Sequence, residues 1–195
     1  MLTTHLLYLH GFRSSPNSTK ARMMRQRIAL QFPDVTFWAP QLPPSPSAAM
    51  TLVKRGIASW PRDTMVVVGS SLGGFYATWV AEQTGCRAAL LNPAIFPARD
   101  LAGYIGEQAA WHNPDEKFYF RSEFVDELRE LGIPAISRPA RYYALIAQGD
   151  EVLDWREMKA HYPGARVRLL EGSDHALSDF EAYLDEVLRF LGLPA

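Results

Sequence analysis

The stretch MVVVGSSLGGFYATWVAE, Met65–Glu82, decides how this chain folds. Four apolar residues run into Gly-Ser-Ser-Leu-Gly-Gly, and a second apolar segment follows at once. Met65 to Val68 is a continuous apolar run, which suits a strand covered on both faces of a parallel sheet. Leu72 to about Thr84 reads as a helix, closed by Gly85, a residue that readily adopts the left-handed C-terminal position. The turn between them has two readings. It is a small-residue turn that packs closely against its own helix, or it holds a serine poised to attack a substrate. Gly69-Ser70-Ser71-Leu72-Gly73 fits the G-x-S-x-G pattern, which selects Ser71 and not Ser70 as nucleophile. Small flanking residues allow neighbouring backbone to approach such a turn without a Cβ clash. The helix behind it aims free N–H groups at the turn, where they favour the negative charge of an attacked carbonyl oxygen.

Working outward, Leu6 to Leu9 is a first strand ending at His10-Gly11-Phe12, and Ser18 is placed to cap a helix running to about Leu30. Val35 to Pro40 is a second strand, and a helix near Ala48 to Ser59 precedes the decisive stretch. CRAALLN, RYYALIAQGD and ARVRLLEG hold the fourth, fifth and sixth strands. A helix from Trp155 to about His161 begins with the capping-box spacing of Asp154 and Glu157. The final helix is expected after Ser178, again with a glutamate three residues on, Glu181. Alternating strands and helices predict an α/β fold: a six-stranded, mostly parallel sheet with helices on both faces. One domain, residues 1–195, accounts for the length, and residues 92–139 read as a cap-like insertion after the fourth strand. That insertion is rich in proline and aromatic residues and carries one clear helix, about Ser122 to Leu131.

A serine hydroxyl needs a base to act as a nucleophile near neutral pH. Of five histidines, His175 stands between the last strand and the last helix, at the sheet edge where the serine turn also opens. His5, His10, His112 and His161 have plainer structural or solvated readings. A carboxylate should orient the imidazole, and QGDEVLDW offers Asp150 and Asp154. Asp150 follows the fifth strand directly and is favoured, since Asp154 already serves as a helix cap. The order Ser71, Asp150, His175 is that of hydrolases built on a parallel sheet. For the oxyanion, the expected donors are the backbone N–H groups of Leu72 and Phe12. Tyr104, Trp111, Phe118, Tyr119 and Phe120 either line an apolar acyl pocket or only bury the insertion against the sheet. Arg13 either meets an anionic substrate group or is an exposed loop arginine.

Composition narrows the function classes. Apolar residues make up 48% of the 195 and charged residues 21%, as in ordinary globular domains. A formal net charge of −1 gives no electrostatic ground for a nucleic-acid or anionic-membrane partner. The single cysteine, Cys86, rules out an internal disulfide and fits a reducing compartment, so a cytoplasmic location is expected. The N-terminal MLTTHLLYLHGF lacks the basic segment and long apolar run of a signal peptide, and no membrane span is expected.

The segments YLHGFRSSPNSTKA, VVVGSSLGGFYATWVAE, LLNPAIFP, GDEVLDWREM and EGSDHALSDFEAYLDEVLRFLG resemble the α/β-hydrolase superfamily, and more closely its small bacterial YqiA-like esterases. The resemblance spans nearly the whole chain. It implies a Ser71–Asp150–His175 triad, no metal or organic cofactor, and hydrolysis of small-molecule carboxylic esters or acyl-CoA thioesters. It also implies a sheet that begins at the third strand of the full-length fold. Ser173 stands where the family tends to carry a glycine. Against this enzyme reading stands a catalytically silent binding protein on the same fold; such proteins usually lack a triad member, and here none is missing.

Overall fold

The computed structural model describes residues 2–194. Its main sheet is built from β1 (His5–Leu9), β2 (Thr36–Trp38), β3 (Met65–Ser70), β4 (Arg87–Leu91), β7 (Tyr142–Ala147) and β8 (Arg166–Leu170). They lie in the order β2-β1-β3-β4-β7-β8, every neighbouring pair parallel. This is the six-stranded sheet expected from the sequence. Between β4 and β7 the chain forms a two-stranded antiparallel ribbon of its own, β5 (Gly106–Ala109) with β6 (Lys117–Phe120).

The helices are α1 (Thr19–Gln31), α2 (Pro46–Gly56), α3 (Leu72–Thr84), α4 (Pro97–Asp100), α5 (Ser122–Glu130), α6 (Trp155–His161) and α7 (Leu184–Phe190). Two apolar layers hold them to the sheet. Leu7 and Leu9 of β1 and Val67 of β3 pack with α2, α3, α5 and α6. Their alternate neighbours Leu6, Tyr8, Val66 and Val68 pack with α1 and α7. This alternation explains why the strands read as unbroken apolar runs: both pleat faces are covered. Helix α3 lies deepest, with nine of its 13 residues buried. At roughly 1.5–3 kcal/mol per large apolar side chain removed from water, this burial outweighs the low helix propensity of Gly73 and Gly74.

Gly69 and Gly73 are required by contact. A Cβ on Gly69 would lie 2.0 Å from the Gly73 carbonyl oxygen, and one on Gly73 would lie 2.0 Å from that of Leu9. The serine turn therefore presses against β1, which no larger residue permits.

Several local expectations are corrected. Helix α2 starts at Pro46, two residues before the predicted start, because the Ser45 hydroxyl accepts the Ala48 N–H at 3.1 Å and proline suits the first helical turn. Asp154 caps α6 through the Arg156 N–H at 2.9 Å, but the Glu157 carboxylate turns away to grip Arg99 at 2.7 and 2.8 Å. Ser178 does not cap the last helix. Its N–H and hydroxyl bind the Asp174 carboxylate at 2.9 and 2.6 Å, and the chain enters α7 through a 3-10 turn over Phe180–Tyr183. Ser18 occupies the N-cap position of α1, yet its hydroxyl makes no capping bond.

Candidate active site

The residue that ends β3 and begins α3 carries the strain of the turn. Ser71 has φ 56° and ψ −121°, a region that side-chain-bearing residues rarely adopt. The surrounding backbone over-determines it. The Ser71 N–H donates to the Leu91 carbonyl at 3.0 Å, and the Ser71 carbonyl accepts from Gly74 and Ala94 at 2.8 and 3.0 Å. The effect is to lift Oγ out of the sheet edge into a cleft.

Across that cleft stands His175, in the loop after β8. Its Nε2 lies 3.1 Å from Ser71 Oγ, and its Nδ1 lies 2.8 Å from Asp150 Oδ2. The Asp150 side chain is fully buried, and its other oxygen accepts the N–H groups of Val152 and Leu153, each at 2.8 Å. The carboxylate accepts the Nδ1 proton, so the lone pair of Nε2 faces the serine hydroxyl. Asp154, the rival in the sequence, points into the α6 cap instead. Of the five histidines, only His175 reaches Ser71. His5 stacks on Trp60 with 4.8 Å between ring centroids, and His112 pairs with Glu116 at 3.1 Å.

Leu72 and Phe12, the expected N–H donors, both line the cleft that holds Ser71. Leu72 opens α3, Phe12 follows the close-packed Gly11, and among the described residues neither N–H has an acceptor. A Cβ on Gly11 would fall 3.2 Å from the Ser71 Cβ, so the β1 loop lies directly against the serine. His10 fixes that loop. Its Nε2 accepts the Leu42 N–H at 3.0 Å, which leaves Nδ1 to donate to the Gly11 carbonyl at 2.9 Å. Burial lowers the pKa of His10 below its ordinary value, and the neutral ring is the form these two bonds need.

One residue that positions the site lies outside the catalytic motifs, in the segment LLNPAIFP. Asn92, fully buried just past β4, donates through Nδ2 to the carbonyls of Asp174 and His175 at 3.0 and 3.1 Å. Its Oδ1 accepts the Ala147 N–H at 2.8 Å. It thus ties the histidine loop to the end of β7, in a backbone conformation (φ 43°) that asparagine tolerates better than most residues. The one signal for it is a polar residue closing the apolar strand of LLNP. Ser173 acts more locally, through a hydroxyl that bonds Asp179 at 2.5 Å and closes the same loop.

The cleft has a volume of about 650 Å³. Tyr104 and Trp111 line it, together with Pro97, Leu101, Val152 and Leu153. The other aromatics of the insertion go elsewhere. Phe118 lines a neighbouring cleft of about 520 Å³ on the other side of the Phe12–Arg13 segment. Phe120 is buried, its ring 5.2 Å from that of Phe12, and Tyr119 is 61% exposed and lines neither cleft. Arg13 is more than a free loop arginine. Its Nε donates to the Ala109 carbonyl at 2.6 Å, and its guanidinium stacks 4.1 Å from the Trp111 ring. Among the described residues, no group of three or more His, Cys, Asp or Glu side chains is arranged to hold a metal ion, and no helix is long and apolar enough to cross a membrane.

Residues 5–192 match the model of a family described as Uncharacterised protein family (UPF0227). The chain belongs to this family. A UPF0227 protein of Yersinia pseudotuberculosis is 25% identical over 191 residues, which cover 95% of this chain and 97% of the relative. Among solved structures, Est1E from Butyrivibrio proteoclasticus superposes with a TM-score of 0.72 at 15% identity, covering 97% of this chain and 87% of that one. The esterase domain of a Rhodothermus marinus protein gives 0.68 at 20% identity, covering 98% and 86%. Likeness at this level of identity establishes the α/β-hydrolase fold for this UPF0227 chain, and leaves its chemistry to the site.

Proposed function

We propose that this protein is a serine esterase acting by acyl transfer. Ser71 Oγ attacks the ester carbonyl while His175 Nε2 takes its proton, and Asp150 steadies the imidazolium that forms. The carbonyl oxygen becomes an anion between the N–H groups of Leu72 and Phe12, helped by the N-terminus of α3. As the carbonyl reforms, the bond to the alcohol breaks and His175 returns its proton to the departing oxygen. Water, deprotonated by His175, then attacks the acyl-Ser71 ester and releases the acid. One observation carries this reading: the unbroken hydrogen-bonded line from Ser71 through His175 to a buried, fully satisfied Asp150.

The cleft volume is in the range of small-molecule sites. We assign its apolar wall, with Tyr104 and Trp111, to an apolar part of the ester, and residues 92–139 the role of a cap that shapes it. That one superposed neighbour is an esterase domain supports the choice of an oxygen ester. The test is a panel of p-nitrophenyl esters of increasing acyl length, run beside acyl-CoA thioesters on wild-type and Ser71→Ala protein. The proposal expects ester turnover that the variant loses. Undiminished turnover by the variant, or turnover of thioesters alone, would overturn it.

A further inference from the structure

The cleft has two unlike ends. One is the aromatic and aliphatic wall already described. The other is a recess formed by Tyr8, Ser18, Lys20 and Ser70, all of which line the cleft that holds Ser71 and His175. Tyr8 is 1% exposed, and neither its hydroxyl nor that of Ser18 has a hydrogen-bond partner. The hydroxyls of Ser18 and Ser70 flank that of Tyr8 without reaching bonding geometry. Ser70, immediately before the nucleophile, is 7% exposed and lines the same cleft. An unpaired buried hydroxyl costs roughly 1–3 kcal/mol, so a fold rarely gathers several without a use. Ser18 makes the point most sharply. It occupies a helix N-cap, where a serine hydroxyl ordinarily binds a backbone N–H, yet it forgoes that bond.

The recess is rich in donors and poor in free acceptors. Three hydroxyls meet there, and Lys20 lines the same cleft, its ammonium donating among the described residues to the Ala176 carbonyl alone. The nearby carboxylates are already occupied. Asp150 serves His175 and two backbone N–H groups, Asp174 binds Ser178, and Glu151 accepts the His175 N–H at 3.0 Å. Burial lowers the Lys20 pKa to about 8, with Asp174 and Asp150 opposing, so the ammonium is mainly charged at neutral pH. The missing counterpart is a compact anion that accepts several hydrogen bonds at once.

We infer that the recess of Tyr8, Ser18, Ser70 and Lys20 recognises a carboxylate on the substrate, so that the preferred esters are half-esters of short dicarboxylic acids. This inference rests on the esterase reading of Ser71. A carboxylate presents about four acceptor sites and takes the hydroxyls as donors and the ammonium as counter-charge. The apolar stretch between the two carbonyls then spans from the recess to Ser71.

Two comparisons test it. The first is kcat/KM for monomethyl glutarate against methyl glutaramate, which replaces the free carboxylate with a neutral amide of the same shape. Wild type should favour the half-ester at least tenfold. Tyr8→Phe and Lys20→Met should each cut that ratio about tenfold, with folding checked by circular dichroism. The second needs no turnover: titration calorimetry of glutarate into Ser71→Ala protein should show binding that Tyr8→Phe weakens by a similar factor. Equal use of the two esters by wild type would overturn the inference, as would a ratio that both variants leave unchanged. A failure of the esterase reading is distinct: neither ester would be hydrolysed, while the calorimetric result would still decide whether the recess binds carboxylate.

Discussion

The strand-end loops and the excursion between β4 and β7 face the same cleft but are held by different forces. The loops continue the sheet. Ser71, Asn92 and Gln148 each donate a backbone N–H to the next strand, at 3.0, 3.0 and 2.9 Å, just beyond the last ladder residue. The excursion is held mostly by side chains, the Arg13–Trp111 stack, the Phe12 ring between Phe118 and Phe120, and surface pairs such as Arg99–Glu157 at 2.7 Å, with the Trp111 N–H to the Arg13 carbonyl at 2.8 Å as a backbone tie. Exposed pairs of that kind contribute about 0–1 kcal/mol. The difference separates two roles. Backbone bonding carries on from the sheet into the loops of Ser71 and Asp150, while mainly side chains hold what lies over them.

That division predicts a graded response to substitution. The largest effects belong to the loops. Asp150→Asn should lower kcat by about 10⁴-fold, since the amide no longer holds the right tautomer of His175. Steady-state kinetics with unchanged circular dichroism would check this. Asn92→Ala comes next. It frees the histidine loop and leaves buried carbonyls and an N–H unpaired, so kcat should fall up to about 100-fold and stability by about 1–3 kcal/mol. If its activity fell no further than its stability explains, the assigned positioning role would be wrong. In the excursion the effects should be smaller and of another kind. Trp111→Ala removes an exposed stacking partner of Arg13, a contact of about 0.5–1 kcal/mol. KM for esters with a larger apolar part should rise about threefold while kcat moves less. A large kcat loss here would erase the contrast between the two regions.

The smallest effect concerns pH. His10 is held neutral in the fold, with its pKa below the unfolded value of about 6.5. Between those two values the unfolded chain binds a proton that the folded chain refuses. Its share of stability is therefore fully present above about 6.5 and is lost as pH falls toward the folded pKa. Melting temperatures of wild type and His10→Gln across pH 5–8 should show a shallower acid decline in the variant.

The same contrast governs what was legible in the sequence. Continuous apolar runs ended by glycine, asparagine or aspartate are strong local signals, and they located the six strands and the loops carrying Ser71, Asp150 and His175. Ser71, Asp150 and His175 could be paired from the sequence because parallel strands bring all their C-terminal ends to one edge. The ribbon of β5 and β6 was missed because GEQA and KFYF are short and mixed, and their pairing is set by packing on Phe12 rather than by local preference. Among the insertion's aromatics, no local pattern separates Trp111, which lines the cleft, from Tyr119, which does not. Asn92 stayed hidden because its partners lie 55 to 83 residues away. Ser18 misled for the opposite reason: its local pattern is that of a cap, but its hydroxyl is buried without a partner.

The central claim is that His175 makes the Ser71 hydroxyl a nucleophile. Mass spectrometry of protein treated with a fluorophosphonate tests it most directly. The account predicts a single adduct on the peptide containing Ser71 and its loss in His175→Ala protein that remains folded. An adduct on another residue, or equal labelling of Ser71 without His175, would contradict it.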